Sequence, residues 1–404
     1  MKLRRLPEDF QVTELTTVAP SAGAWTLYRL RKISIGTPEA IAAICRQWNL
    51  PRNRISYAGL KDRHAVTEQY LSIRNGPRQS LIRESLQLQY LGQIPRAITA
   101  AEITGNHFRI VVRNLVAADA DLAVARAQSL IAAGLPNYFD DQRFGSLGFS
   151  GEWIAKHWCL KNWERALWLA LADLHPDDSA AEKQQKQLLS KHWGQWPECQ
   201  KLLDRSHRRS IITYLADKVR AGKAPDFRGA LARINSDLRG LYLSAFQSAL
   251  WNRVASGVVA AALPEKQRRM ITLQSGPAVF PHKADAAVLQ QAEISISLPS
   301  ARSPVPPGLP GQILHQVLAE EQIPLHLIRI TSPRDRFFSR AMRSVIVRPQ
   351  HLQVSTQADD LYAGRCLLQL EFDLPSGSYA TMLVRSLLDS PRLDTETDAD
   401  SCFC

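Results

Sequence analysis

The chain has 404 residues, of which 45% are hydrophobic and 22% are charged, so it is long enough for two domains with a large core. Fifty Lys and Arg residues against 38 Asp and Glu residues give a net charge of +12, which favours nucleic acid or an anionic membrane surface as a partner. No segment approaches the roughly 18 apolar residues of a membrane span, and the basic start is not followed by the apolar run of a signal peptide. The six Cys residues show neither metal-ligand nor disulfide spacing, so we expect a cytoplasmic protein without a membrane segment.

The N-terminal part is predicted to be mixed α/β. Residues Phe10–Thr13 and Trp25–Leu30 alternate apolar and polar side chains, which is typical of strands. Thr37, Pro38 and Glu39 predict the start of a helix, with the Thr hydroxyl as its cap and Pro at the first helical position.

The next elements also show the apolar patterns of strands and helices. Residues 108–113 alternate as a strand does, and residues 119–133 predict a helix that ends at Gly134. From Trp153 to about Ala255 the pattern is helix-rich, and the seven Trp residues in this part are expected to be mostly core. The Pro-rich stretch 299–310 predicts a loop.

The C-terminal part returns to strand. Residues 368–374 alternate strictly between apolar and polar, residues 375–378 predict a turn, and residues 379–388 predict a helix. After residue 390 the chain becomes acidic and polar, which predicts a disordered tail over 391–404. The order strand, helix, long helical insert and strand indicates an α/β (α+β) domain formed by residues 1–151 and 344–390 and interrupted by an inserted domain, residues 152–343.

Positive charge is clustered within the chain. Ten Lys or Arg residues and four Asp residues lie between Lys201 and Arg239, and six Arg residues and one Asp lie between Arg329 and Arg348. Two such stretches predict a face that follows the phosphates of a nucleic acid.

The densest polar segment, residues 57–69, places Asp62 between the cations Lys61 and Arg63. Flanking cations favour an ionised carboxylate, which can serve as a structural ion-pair partner or as a nucleophile or base. Spacing alone favours the ion-pair interpretation. His64 has no Cys or His at ligand spacing, so no metal site is expected.

A second segment, residues 135–145, combines aromatic, amide and Arg side chains. Such a mixture can stack on an unpaired base and clamp it. A capped loop with Phe139 and Phe144 in the core explains the same pattern equally well.

Six segments, in order along nearly the whole chain, resemble the motifs of the TruD pseudouridine synthases. They are Glu8–Glu14 (EDFQVTE), Ala58–Gln69 (AGLKDRHAVTEQ), Gly105–Phe108 (GNHF), Asn137–Gly145 (NYFDDQRFG), Ser244–Asn252 (SAFQSALWN) and Leu374–Thr381 (LPSGSYAT) with Arg385. The resemblance implies a pseudouridine synthase catalytic domain with a mixed, largely antiparallel sheet, interrupted by a helix-rich TRUD domain. It implies isomerisation of uridine to pseudouridine in tRNA, at position 13 of the D arm, by a monomer that needs neither a cofactor nor a protein partner.

The resemblance also implies roles for single residues. Asp62 would be the catalytic carboxylate, attacking the ribose as a nucleophile or removing a proton as a base. Phe139 would stack on the flipped-out uracil, and Asn137 would position the base or the Asp62 loop.

A cation is expected to pair with Asp62, and Lys61 and Arg385 are the two candidates. Glu14 is expected to contact the residues that bind the substrate and not the substrate itself. One departure concerns Ser386, because the family usually has Glu after the C-terminal Arg.

Two alternatives remain open at this point. The first is a pseudouridine synthase that acts on another structured RNA, ribosomal or messenger. The second is an RNA-binding or RNA-folding protein in which catalysis is secondary, although an intact Asp62 motif argues against it.

Overall fold

The structure, a computed structural model, describes residues 1–284, 288–330 and 337–388. The predicted acidic tail, 391–404, lies outside the described residues. Within them the chain forms two compact units, one of residues 1–137, 282–284 and 347–388 and the other of residues 138–281, 288–330 and 337–346.

The strands of the described residues range from two to 13 residues in length. They are β1 Lys2–Leu3, β2 Phe10–Thr16, β3 Trp25–Ile33, β4 Ile55–Tyr57, β5 Val66–Arg74, β6 Leu81–Arg83, β7 Leu86–Ile94, β8 Ile103–Leu115, β9 Leu135–Pro136, β10 Arg268–Leu273, β11 Gly276–Pro281, β12 Ser295–Ser297, β13 Met342–Ser344, β14 Ile346–Val347, β15 Gln350–Ala358 and β16 Cys366–Pro375.

The helices of the described residues are concentrated in the middle of the chain. They are α1 Thr37–Trp48, α2 Ala117–Ala133, α3 Ile154–Cys159, α4 Trp163–Leu171, α5 Ala180–Lys191, α6 Trp196–Leu202, α7 His207–Arg220, α8 Phe227–Leu231, α9 Ser236–Ala262, α10 Leu309–Glu320 and α11 Ala380–Leu388.

A ten-stranded mixed sheet organises the first unit. Its strand order is β15-β16-β8-β2-β5-β3-β7-β6, with β1 added to β8 and β4 added to β5. The pair β2–β5 is parallel and the other pairs of this path are antiparallel where their register is defined. The mixed α/β class predicted from the sequence is confirmed, and the pair β8–β16 brings residues 103–115 and 366–375 together in this sheet.

Alternating burial explains why these segments form strands. In β16 the apolar residues Leu368, Leu370, Phe372 and Leu374 are at most 2% exposed, as the two-residue period predicts. Helix α1 buries Ala40, Ile41 and Ile44 against the face of β3 and β5. A fully buried Leu or Ile side chain contributes roughly 1.5–3 kcal/mol.

A buried ion-pair network connects the start of the sheet to its C-terminal part. Arg113 of β8 donates to both carboxylate oxygens of Asp9, at 2.9 and 3.0 Å, and to Asp359 at 3.3 Å and Asp360 at 2.5 Å. Asp9 also accepts the backbone N–H of Leu6 at 2.9 Å. These contacts fix the short segment between β1 and β2.

Helix α9 is the longest helix of the second unit in the described residues and buries Phe246 and Trp251 completely. It contacts α3, α10 and β11. Helices α4 to α8 pack consecutively on one another, which confirms the helix-rich pattern predicted from Trp153 onward.

Candidate active site

The Asp62 segment is the loop that connects β4 to β5. The two strands pair from Ile55↔Ile73 to Tyr57↔Leu71, and β5 begins five residues earlier, at Val66, where it meets β2. Residues 58–65 therefore span the open end of the β4–β5 pair.

Two fully buried polar side chains hold this loop. The hydroxyl of Thr37 donates to Gln69 Oε1 at 2.8 Å and accepts the N–H of Lys61 at 3.0 Å. Gln69 Nε2 in turn donates to the carbonyl of Gly59 at 3.1 Å. The predicted capping role of Thr37 is wrong: the helix already includes Thr37, its N-cap is Gly36, and no side chain caps it. The hydroxyl is used to fix the loop instead.

The buried ammonium of Lys32 also holds this loop. Lys32 of β3 is 0% exposed, and its Nζ donates to the carbonyls of Ile35 at 2.7 Å, Lys61 at 3.3 Å and Asp62 at 2.6 Å. Burial lowers the pKa of Lys32 from 10.5 to about 8, and the negative charge of Asp62 offsets part of this effect. Three donors thus meet three carbonyl acceptors, and the backbone at Asp62 is fixed by a side chain from a neighbouring strand.

The carboxylate of Asp62 faces an Arg that the sequence analysis did not single out. Arg4 Nη2 donates to Asp62 Oδ2 at 2.9 Å, and the two side chains are 10% and 39% exposed. The Arg4 guanidinium also lies 4.0 Å from the ring centroid of Phe10. Because Asp9 and Arg113 fix the adjoining segment, Arg4 is held where it can orient a half-exposed carboxylate.

The cations next to Asp62 in sequence are directed toward other acids. Lys61 Nζ lies 3.1 Å from Glu14 Oε1 and donates to Asn106 Oδ1 at 2.6 Å, and Arg63 lies 3.6 Å from Glu39. Lys61 was predicted as one candidate partner of Asp62, and in the structure its partners are Glu14 and Asn106.

Glu14 occupies a central position in β2. It is 2% exposed, and its Oε2 accepts the N–H of Tyr70 at 2.7 Å while Oε1 meets Lys61. Glu14 therefore connects β2, β5 and the loop of residues 58–65.

The two remaining predicted residues of the first unit are buried. Arg385 lies in α11 and is 4% exposed, and Asn137 follows β9 and is 6% exposed. Ser386, which departs from the family pattern, donates its hydroxyl to the carbonyl of Leu383 at 2.7 Å.

Phe139 lies in the second unit and is held through its backbone. Its N–H donates to Asn252 Oδ1 at 2.8 Å, and its carbonyl accepts Asn252 Nδ2 at 2.9 Å. The ring is 6% exposed and packs edge-on against Trp251 at 5.7 Å. The guanidinium carbons of Arg343 and Arg143 lie 4.0 and 5.6 Å from its centroid. Phe139 and Phe144 are thus both buried, at 6% and 0% exposed, which is what the capped-loop interpretation of this segment predicts.

Two further observations concern the described residues as a whole. No group of three or more His, Cys, Asp or Glu side chains in 1–284, 288–330 and 337–388 is arranged to hold a metal ion. None of the helices in the same ranges has the length and apolar character needed to cross a bilayer.

Comparison with known proteins extends over nearly the whole chain. Residues 1–387 match the family model described as tRNA pseudouridine synthase D (TruD). The Methanococcus maripaludis protein named "Probable tRNA pseudouridine synthase D 1" is 30% identical over 396 residues, 96% of this chain and 100% of that protein. The tRNA pseudouridine synthase D of Aquifex aeolicus is 27% identical, over 96% of this chain and 98% of that protein.

A solved structure shows the same fold. A crystal structure from Methanosarcina mazei, named for TruD, superposes with a TM-score of 0.71 and covers 96% of this chain and 94% of that one. The sequence identity of the pair is 24%.

Proposed function

Because the chain belongs to the TruD family of pseudouridine synthases, which are isomerases, we propose that it converts a uridine of tRNA to pseudouridine, at position 13 of the D arm, with Asp62 as the catalytic carboxylate. The observation that carries the proposal is the paired, half-exposed carboxylate of Asp62 on a loop whose backbone is fixed by buried side chains.

The reaction needs one carboxylate that is held in a defined orientation. The N-glycosidic bond of uridine breaks, the base turns, and C5 of the base replaces N1 on the ribose. Arg4 holds Oδ2 of Asp62, so Oδ1 is the oxygen that can attack C1′ or accept the proton from C2′. The covalent route and the glycal route both use this arrangement.

The surrounding residues contribute to catalysis mainly by holding Asp62 in place. Lys32 and Thr37 fix the backbone on both sides of Asp62, and Glu14 fixes Lys61 beside it. This positioning speeds the reaction although the residues themselves do not react, because the carboxylate does not have to be ordered when the substrate binds.

The substrate base has to leave its stack to reach a carboxylate held in this way. Unstacking costs a few kcal/mol, which contacts to phosphate and restacking on aromatic side chains offset. We propose that Phe139 supplies the stacking surface and that Asn137 positions the base. The place of Phe139 within the segment that resembles the family motif supports this assignment. Because the ring is 6% exposed and lies under the Arg343 guanidinium, stacking requires Arg343 to make room for the base.

Mapping of modified sites tests the proposed substrate. Unmodified bulk tRNA is incubated with the full chain, and new pseudouridines are located by sequencing; the expected product carries one at position 13 of the D arm. Ribosomal RNA transcripts incubated in parallel serve as the control. Modification of the ribosomal transcripts without modification of tRNA would contradict the tRNA assignment.

A further inference from the structure

A pocket lies among the helices of the second unit, formed by the loop before α4, α4 itself, the loop before α6 and the start of α8. Its volume is about 650 Å³, within the roughly 300–1,000 Å³ of small-ligand sites. Four aromatic side chains line it: Trp163, Trp168, Trp193 and Phe227. All four are half-buried, so their surfaces are accessible.

The aromatic walls are held rigidly. The indole N–H of Trp193 donates to Glu164 Oε1 at 3.1 Å, and the Trp193 ring packs edge-on against Trp196 at 4.9 Å. Trp196 is 2% exposed and also contacts Phe227 at 5.9 Å. A buried ring therefore fixes two accessible ones, which reduces the ordering cost of binding.

Three cations lie close to these rings, beside the carboxylate of Glu164. Lys161 lines the pocket on the loop between α3 and α4, is exposed, and adopts a left-handed φ of 62°. Within the part of the chain that the structure describes, no carboxylate lies at ion-pair distance from it. The guanidinium of Arg228 lies 5.7 Å from the Trp163 ring centroid, and that of Arg165 lies 4.3 Å from the Trp168 ring centroid and pairs with Glu152.

We propose that this pocket binds an unpaired nucleobase of the RNA substrate, with the base against Trp163 and Trp193 and with Lys161 and Arg228 on the adjoining phosphates. Indole faces stack on any base, and nearby cations match the phosphates that accompany it. The segment from Lys201 to Arg239, which includes Arg228, carries a net charge of +6 and favours a polyanion over a basic peptide. The inference rests on the proposed function only in taking RNA as the substrate.

Binding by variants of the full chain tests the pocket. Fluorescence anisotropy with a labelled tRNA transcript measures Kd for Trp163→Ala, Trp163→Phe and Lys161→Glu. We expect Kd to rise about tenfold for Trp163→Ala and to return close to the wild-type value for Trp163→Phe, which keeps a stacking face. Lys161→Glu should raise Kd and reduce the slope of log Kd against log salt. Lys266→Glu, at an exposed position of the same unit outside the pocket, is the matched control and should leave Kd unchanged.

Crosslinking provides a second measurement that does not depend on the stability of a Trp variant. A tRNA transcript containing 4-thiouridine is irradiated with the wild-type chain, and the attached peptides are identified by mass spectrometry; attachment at Trp163 or Trp193 is expected. An unchanged Kd for both Lys161→Glu and a folded Trp163→Ala, together with crosslinks elsewhere, overturns the proposal and leaves the pocket to a protein partner. Wild-type chain that forms no pseudouridine in tRNA would instead contradict the proposed function, whatever the pocket binds.

Discussion

The ammonium of Lys32 donates a hydrogen bond to the backbone carbonyl of Asp62 over 2.6 Å, from a position that is 0% exposed. The same group donates to the carbonyls of Lys61 and Ile35, so one buried charge fixes the backbone that carries the Asp62 carboxylate. Its pKa is lowered to about 8 by burial, which makes this support dependent on pH.

Deprotonation of Lys32 is predicted to lower kcat as the pH rises through about 8. A neutral amine has two donors for three carbonyls, so the loop at Asp62 loses one of its contacts. Lys32→Met should lower kcat on the order of 100-fold with a smaller change in KM, and should lack this alkaline limb. Lys191→Met, at an exposed position of α5, is the control. The pH profile of kcat measures the effect, and a profile unaltered by Lys32→Met would contradict it.

Stability should change in the opposite direction over the same range. Between about pH 8 and 10.5 the unfolded chain binds more protons at Lys32 than the folded chain, since the folded pKa is the lower one. The contribution of this group to the free energy of unfolding therefore rises with pH in that window. Loss of activity above pH 8 without a fall in the melting temperature separates the two effects.

Arg4 is predicted to orient the Asp62 carboxylate. Arg4→Ala removes a charge-assisted hydrogen bond and should lower kcat about 10- to 100-fold, whereas Arg4→Lys should retain part of the activity. Arg5→Ala, at the exposed neighbouring position, serves as the comparison. Steady-state kinetics measure both constants, and wild-type kcat in Arg4→Ala would exclude this role.

The hydroxyl of Thr37 is predicted to matter for the loop and not for the helix that begins there. Thr37→Val keeps the shape but leaves Lys61 N–H and Gln69 Oε1 unpaired in a buried site. We expect the free energy of unfolding to fall by about 1–3 kcal/mol, together with a lower kcat, while Thr37→Ser retains both. Thermal melting and kcat are measured side by side; a Val variant with unchanged kcat would show that the tether is dispensable.

Phe139 is predicted to act through its ring face. Because the side chain is 6% exposed, Ala would also create a cavity, so Phe139→Leu and Phe139→Tyr are the informative pair. Leu should slow single-turnover pseudouridine formation about tenfold, and Tyr should leave it near the wild-type rate. Equal rates for Leu and wild type would contradict stacking at this position.

The sequence pattern alone predicts those strands and helices in which buried residues recur with the period of the element itself. Residues 368–374 alternate in sequence and in exposure, and Gly134, with a φ of 87°, ends α2 where the sequence predicted. Thr37 failed as a cap because the helix begins one residue earlier than predicted and the Thr37 hydroxyl accepts the N–H of Lys61, 24 residues away, instead of a helix N–H.

The contacts of the candidate site also depend on residues that are distant in sequence, so the sequence pattern did not predict them. Lys61 was considered for Asp62 because it is adjacent in sequence, but the cation on the carboxylate is Arg4, 58 residues away. Nothing local distinguishes Arg4 from the other cations of the basic N-terminus, since its position depends on the pairing of β1 with β8. The Trp residues expected in the core divide similarly: Trp196 and Trp251 are buried, but Trp163 lines an open pocket.

The most direct test of the central claim is tritium release from tRNA labelled at C5 of uridine, measured for Asp62→Asn. C5 loses its hydrogen when it takes over the bond to ribose, so release reports turnover itself. Asp119→Asn, an exposed substitution in the first turn of α2, is the matched control. The account predicts a rate about 10²- to 10⁴-fold lower for Asp62→Asn and an unchanged rate for Asp119→Asn. Release by Asp62→Asn at the wild-type rate would contradict the assignment of Asp62 as the catalytic carboxylate.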